Sequence, residues 1–219
     1  MIFVNFKTYE GGTGENAISL VRILETVSAE SGIKIIPVVQ STDVREITAL
    51  TKLPVWGQNI DPAEYGAHTG STLAEALVED GAEGTFLNHS EHKFNTQDML
   101  KKAVERAKEA GLKTLVFATD LSELRLILRL KPTYVAYEPS ELVGSKTTSV
   151  SESKPEVIKE AVEIAKKHNL PLIVGAGIKS SKDIKTALSL GATGFAVASA
   201  IVEADDPKTE LLKLVEGYK

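Results

Sequence analysis

The chain has 219 residues, 42% of them hydrophobic and 25% charged, an ordinary balance with ample material for a core. Thirty acidic residues against 25 basic ones give a net charge of −5, which disfavours nucleic acid and anionic membrane as partners but leaves small anions open. The absence of cysteine excludes disulfides, thiol nucleophiles and cysteine metal sites. The opening Met-Ile-Phe-Val-Asn-Phe-Lys carries no leader pattern, and the longest apolar run, 194–202, falls far short of the roughly 20 residues that span a bilayer. A cytoplasmic, non-membrane protein is expected.

Chain order then shows one pattern repeated eight times: a short β-branched or aromatic run, a longer stretch of helical periodicity, and Gly or Pro between them. Strand 2–6 precedes a helix at 15–31, strand 34–39 a helix at 42–51, and strand 54–58 a helix at 72–80. Strand 84–87 leads to helix 96–110, strand 113–118 to helix 121–130, and strand 133–137 to helix 155–168. Strands 171–174 and 194–198 lead to helices 181–190 and 207–216. In helix 96–110, Met99, Leu100, Ala103 and Ala107 share one face, with Lys and Glu opposite. Gly81, Gly111 and Gly191 stand where helices stop, and Pro155 suits a first helical position.

The strands are continuous apolar runs, as a parallel sheet covered on both faces requires. Eight such units fit either a closed barrel or a doubly wound open sheet. The count of eight and the lack of a linker favour an α/β fold, a single-domain (β/α)8 barrel over residues 1–219. That length is near the small end of the range for such barrels, about 200 to more than 400 residues. Loops must be lean, so the long connection at 139–154 stands out as a candidate lid.

Active sites of such barrels lie at the carboxyl ends of the strands. The first strand ends in Asn5 and Lys7, the fourth in Asn88-His89-Ser90-Glu91, and the sixth in Glu138-Pro139. The seventh ends in Gly175-Ala176-Gly177 and the eighth in Ala198-Ser199-Ala200. Taken singly, Lys7 reads as a solvated charge, His89 as a local hydrogen-bonding group, Glu138 as a salt-bridge partner and the glycine pair as a tight turn. Their placement at the same end of several strands favours a shared site. The segment 143–149, small and polar, reads either as a floppy surface loop or as a gate whose Gly144 N–H meets a phosphate on closing, and its direct attachment to Glu138 favours the gate.

Three patterns carry no prediction. Asn88-His89-Ser90 matches a glycosylation sequon without a secretory signal. His89, Glu91 and His92 have no recognised zinc spacing. Gly11-Gly12-Thr13-Gly14 matches neither common nucleotide-binding loop.

Asn5-Phe6-Lys7, Asn88-His89-Ser90-Glu91, Tyr137-Glu138-Pro139 and Gly144-Ser145 resemble, in order, the signature sites of the triosephosphate isomerase family. Gln58-Asn59 and Gly66-Ala67-His68-Thr69-Gly70 resemble its third loop, which reaches into a partner subunit. The short length and Gly175-Ala176-Gly177-Ile178 are similar to the compact archaeal branch. The resemblance runs from Asn5 to Ser199 and implies a TIM barrel.

The implied activity is aldose–ketose isomerisation of dihydroxyacetone phosphate and D-glyceraldehyde 3-phosphate, in glycolysis and gluconeogenesis, with no metal or organic cofactor. The resemblance casts Glu138 as the base and His89 as the electrophile. Lys7 would stabilise negative charge, Asn5 would fix its geometry, and Ser90 and Glu91 would support them. Backbone around Val143, Gly144, Gly177, Ala198 and Ser199 would hold the phosphate. Self-association as a dimer or tetramer would use the loop tip at His68 and Thr69.

Two positions depart from the family pattern. Lys146 follows Gly144-Ser145 where Gly is usual, and Ala200 replaces a usual Gly, which strains the backbone if that site needs a positive φ. The competing readings are another phosphosugar barrel, such as an aldolase using Lys7 or a biosynthetic isomerase, and a catalytically silent phosphate-binding scaffold. The silent scaffold predicts loss of Glu138, His89 or Lys7, and all three are present.

Overall fold

A computed structural model describes residues 1–139, 155–175 and 177–219. Eight parallel strands close in chain order: β1 (Ile2–Asn5), β2 (Ile35–Val39), β3 (Trp56–Gly57), β4 (Gly84–Leu87), β5 (Lys113–Ala118), β6 (Tyr134–Tyr137), β7 (Leu172–Val174) and β8 (Gly194–Val197). β8 pairs with β1, placing Ile2 opposite Phe195 and Val4 opposite Val197, so the open-sheet alternative is ruled out. The surrounding helices are α1 (Gly14–Ser31), α2 (Val44–Leu50), α3 (Ala74–Glu79), α4 (Gln97–Ala110), α5 (Leu121–Leu128), α6 (Pro155–Lys167), α7 (Ser181–Ser189), α8 (Ser199–Val202) and α9 (Pro207–Val215).

Alternation along each strand divides the buried side chains into two layers. Phe3, Trp56, Phe86, Phe117, Ile36 and Ile173 fill the barrel lumen. Ile2, Val4, Ile35, Val39, Leu87 and Val116 point outward and join the helix faces. Both faces are therefore buried, which explains why no strand reads as alternating polar and apolar. Inside, Phe3 meets Trp56 edge-on at 5.0 Å and Phe86 meets Phe117 at 4.8 Å. Such large rings fit only where neighbours are small, and a Cβ at Gly84 would overlap the Trp56 indole.

The helix ends follow their local chemistry. Thr96 caps α4 by accepting the Met99 N–H at 3.2 Å, and Gly111 ends it in the left-handed region at φ 91°. Gly81 and Gly191 also take positive φ just past α3 and α7. Asp120 caps α5, and Ser180 with Asp183 forms a reciprocal capping box on α7. α6 begins at Pro155.

Several boundaries differ from the sequence expectation. Only Trp56 and Gly57 form β3, because Pro54 has no N–H to donate to a ladder. β6 starts at Tyr134 because Thr133 and Thr114 replace the ladder with reciprocal backbone-to-hydroxyl bonds of 3.1 and 3.0 Å. The short helix α8 was not anticipated, since Ile201 and Val202 merge with β8 into one apolar run. Met99 is a correction: it is 39% exposed, whereas Leu100, Ala103, Val104 and Ala107 form the buried face of α4. Met99 sits one residue, about 100° of helical rotation, off that stripe. No helix among the described residues is long and apolar enough to cross a membrane.

Gly84→Ala is expected to destabilise the barrel by roughly 1–3 kcal/mol, the range for forcing volume into a packed core. For a chain of this size the melting temperature should fall by about 2–4 °C per kcal/mol, measured by scanning calorimetry. An unchanged transition would show that the Trp56 ring can move aside.

Candidate active site

The carboxyl ends of the strands form one mouth, and the side chains singled out there come together. β1 hands the chain to Lys7, a non-glycine residue held at φ 48°. Two side chains satisfy its backbone in that conformation. Asn5 Oδ1 accepts the Lys7 N–H at 3.0 Å, and Gln58 Nε2 donates to the Lys7 carbonyl at 2.9 Å. The turn aims the Lys7 ammonium across the mouth to Glu91 Oε1 at 2.6 Å.

β4 ends in a second left-handed residue, Asn88 at φ 60°, a conformation Asn tolerates better than most side chains. His89 follows, its ring edge-on to Phe117 at 4.9 Å. The Glu91 backbone N–H donates to His89 Nδ1 at 3.2 Å. With Nδ1 occupied as acceptor, the neutral ring carries its proton on Nε2, which faces Glu138 Oε2 at 3.4 Å. Burial pushes the His89 pKa down to about 4, with Glu91 opposing and Lys7 and His92 assisting. The 3.4 Å contact is therefore not an ion pair at neutral pH.

Glu138 leaves β6 with its backbone N–H donating to Ala118 at 2.9 Å, and its side chain is buried. Burial raises its pKa to about 8, and the Ser90 hydroxyl, donating to Oε2 at 3.1 Å, works against that rise, as does the Lys7 charge. Gly175 makes room for it: a Cβ there would lie 3.2 Å from Glu138 Oε1 and 3.3 Å from its Cβ.

The two small-residue loops complete the cavity. Gly177 takes φ 66°, and Ala198 N-caps α8, whose first intrahelical bond runs from Ile201 N–H to the Ala198 carbonyl at 2.9 Å. The N–H groups of Ser199 and Ala200 lie ahead of that bond, where a helix start favours an anion. Ala200 is helical and not among the residues with positive φ, so the strain considered for it does not arise. Asn5, Lys7, His89, Glu138, Gly177 and Ser199 all line this one cavity, with Phe86 and Phe117 contributing too. Val143, Gly144 and Lys146 lie outside the described residues.

Reading strand ends missed Gln58 as a support for Lys7, Gly175 as the space beside Glu138, and Lys179 on the cavity wall. Gln58 does directly follow β3, so that strand end held the signal. Among the described residues no cluster of three or more His, Asp or Glu is arranged to hold a metal ion. The third loop, with His68 and Thr69 exposed, contributes no residue to the lining of this cavity.

A parallel barrel that gathers a buried carboxyl, an imidazole and a lysine at one mouth has the groups that proton transfer on a small anion calls for. The family model described as triosephosphate isomerase matches residues 1–218. A triosephosphate isomerase of Methanothermus fervidus is 40% identical over 217 residues, covering 98% of this chain and 97% of the relative. That of Methanobrevibacter smithii is 38% identical over the same shares. The crystal structure of triosephosphate isomerase from Bartonella henselae, 19% identical, shares the fold with a TM-score of 0.79 over 99% of this chain and 98% of that one. The chain belongs to the triosephosphate isomerase family.

His89 is expected to stay neutral, with its proton on Nε2, down to about pH 5 in nitrogen NMR of the labelled ring. Because its pKa is lowered on folding, its contribution to stability is fully present above about 6.5 and lost as pH falls through about 4. A ring that titrates near 6.5 would contradict this.

Proposed function

We propose that this protein interconverts dihydroxyacetone phosphate and D-glyceraldehyde 3-phosphate, with Glu138 as the base. The observation that carries the reading is a buried Glu138 facing His89 Nε2 at 3.4 Å, with Lys7 lining the same cavity. Glu138 takes a proton from the carbon beside the substrate carbonyl, leaving an enediolate. The carboxyl then returns a proton to the neighbouring carbon. A raised pKa suits this, because a desolvated carboxylate is a stronger base than one in water.

The His89 Nε2–H and the Lys7 ammonium are donors for the oxyanion that develops, and His89 passes protons between the two oxygens. Asn5 and Gln58 keep Lys7 aimed. Ser90 and Glu91 steady Glu138, His89 and Lys7. Backbone at Val143, Gly144, Gly177, Ala198 and Ser199 binds the phosphate. Only protons move, so the chemistry needs neither metal nor organic cofactor. A place in glycolysis and gluconeogenesis, in the cytoplasm, goes with this reaction, and we read residues 1–219 as one barrel domain.

A Schiff-base aldolase would need a free Lys7 amine, whereas the 2.6 Å bridge to Glu91 suits a charge stabiliser. A silent scaffold would have no use for a carboxyl and an imidazole with pKa values pushed in opposite directions.

In a coupled assay on glyceraldehyde 3-phosphate, Glu138→Gln should lose about 10²–10⁴-fold in kcat, the usual range for a general base. Glu138→Asp should fall between it and wild type. Wild-type turnover no faster than Glu138→Gln would overturn the isomerase reading.

We also propose that the chain self-associates through the third loop, where Tyr65 is 71% exposed beside Gly66 and His68. An exposed aromatic ring is the kind of group that anchors an interface. Sedimentation should give a multiple of the 23.5 kDa chain mass, and Tyr65→Asp should move the protein toward that mass. A wild-type chain that sediments as a monomer would contradict the proposal.

A further inference from the structure

One carboxylate outside the cavity is wired to the loop that carries His89. Asn88, the buried left-handed residue before it, uses its whole side-chain amide. Its Nδ2 donates to the Phe117 carbonyl at 3.0 Å and to Glu123 Oε1 at 2.9 Å, and its Oδ1 accepts the Phe94 N–H at 3.3 Å. Glu123, on α5, also receives the Lys93 ammonium on both oxygens at 2.7 Å. The Thr119 N–H and hydroxyl donate to its Oε2 at 2.8 and 2.9 Å.

The loop that runs from Asn88 to Phe94 is thus held at both ends by one group. Asn88 ties its start and Lys93 its finish to the same Glu123 carboxylate. Between them lie His89, Ser90 and Glu91, the residues that face Glu138 and Lys7. Phe117 is shared as well, since its carbonyl holds Asn88 while its ring packs against His89.

We infer that Glu123 is a positioning residue for His89, acting through the left-handed Asn88 and closing the loop through Lys93. The inference rests on the isomerase reading and adds a residue that does not line the proposed catalytic cavity. Burial would raise the Glu123 pKa, but the donors around it outweigh that and hold it below the ordinary range, so the carboxylate stays charged at neutral pH. Asn88 at φ 60° and the clustered donors would each have an unmet need without it: Asn88 would lose one of three anchors, and Lys93 its counter-charge. A loop relaxed at its origin by a fraction of an ångström swings the imidazole away from the carbonyl it must polarise, and misplacement of about 1 Å can cost about 10²-fold in rate.

The bland alternative is that Glu123 only stabilises the junction of β4 and β5. A double-mutant cycle separates the two. On glyceraldehyde 3-phosphate, Glu123→Ala should lower kcat about tenfold with KM changed less than about twofold, since phosphate contacts are untouched. Glu123→Gln keeps one acceptor oxygen, which can still take the Asn88 amide but leaves Thr119 and the Lys93 charge unmatched, and should recover part of that loss. In a His89→Gln background, Glu123→Ala should cause no further loss. If Glu123→Ala does not fold, Asn88→Gly removes the side-chain anchors while permitting the left-handed backbone, and should show the same drop in kcat.

A lowered melting temperature with kcat intact would overturn the inference. So would a loss fully additive with that of His89→Gln, or an Asn88→Gly protein with wild-type turnover. Absence of wild-type turnover would instead overturn the isomerase reading and this inference with it.

Discussion

When β8 pairs with β1, every strand gains two hydrogen-bonded neighbours and the eight carboxyl ends are forced onto one ring. Groups far apart in the chain, at Lys7, His89 and Glu138, then face each other across a few ångströms. The same closure packs the lumen with Phe3, Trp56, Phe86 and Phe117. Phe86 and Phe117 belong to that packed interior and also line the cavity, so the core is the floor of the site. The aromatic filling that stabilises the barrel is also what withholds water from the groups at its mouth.

That shared burial acts with opposite sign on the two proposed acid–base partners. It penalises charge, so the Glu138 carboxyl is pushed up to about 8 and the His89 imidazole down to about 4. Neutral imidazole is then the form that offers an N–H without a net charge of its own. Ser90 and Lys7 act in the other direction on Glu138 and limit that rise. The site is balanced between desolvation from below and donors from the rim.

Much of this was legible in the sequence, and the limits of that legibility have physical causes. Eight apolar runs and their helices could be counted, because burial on both faces leaves an unbroken hydrophobic signature. The residues following each run could be listed, because chain direction in a parallel barrel puts them all at one end. Ends of elements were less legible. β3 shrank around Pro54, and α8 hid inside an apolar stretch, since Ile201 and Val202 are buried whether helical or extended. Met99 was assigned to a face that it misses by one residue's rotation. The parts played by Gln58, Gly175 and Glu123 escaped notice because their partners are distant in sequence: Lys7 is 51 residues from Gln58, and Asn88 is 35 from Glu123. Spacing rules cannot register such contacts.

Lys7 and Asn88 show where those distant partners matter most. Both residues occupy the left-handed region, which costs roughly 1–2 kcal/mol for a side chain bearing a Cβ. A chain relieved of other demands would place Gly at such points. Instead each position keeps a side chain and surrounds it with hydrogen bonds, from Asn5 and Gln58 at one and from Phe117, Phe94 and Glu123 at the other. At Lys7 the reason is plain, because the ammonium must leave the strand at an angle no extended residue provides. At Asn88 the side chain has no place in the cavity lining, so its value lies in what it ties together: Phe117, Glu123 and Phe94, around the loop that carries His89. Strain at both turns is therefore offset by bonds that also fix direction. A glycine would relieve the strain and give up the aim.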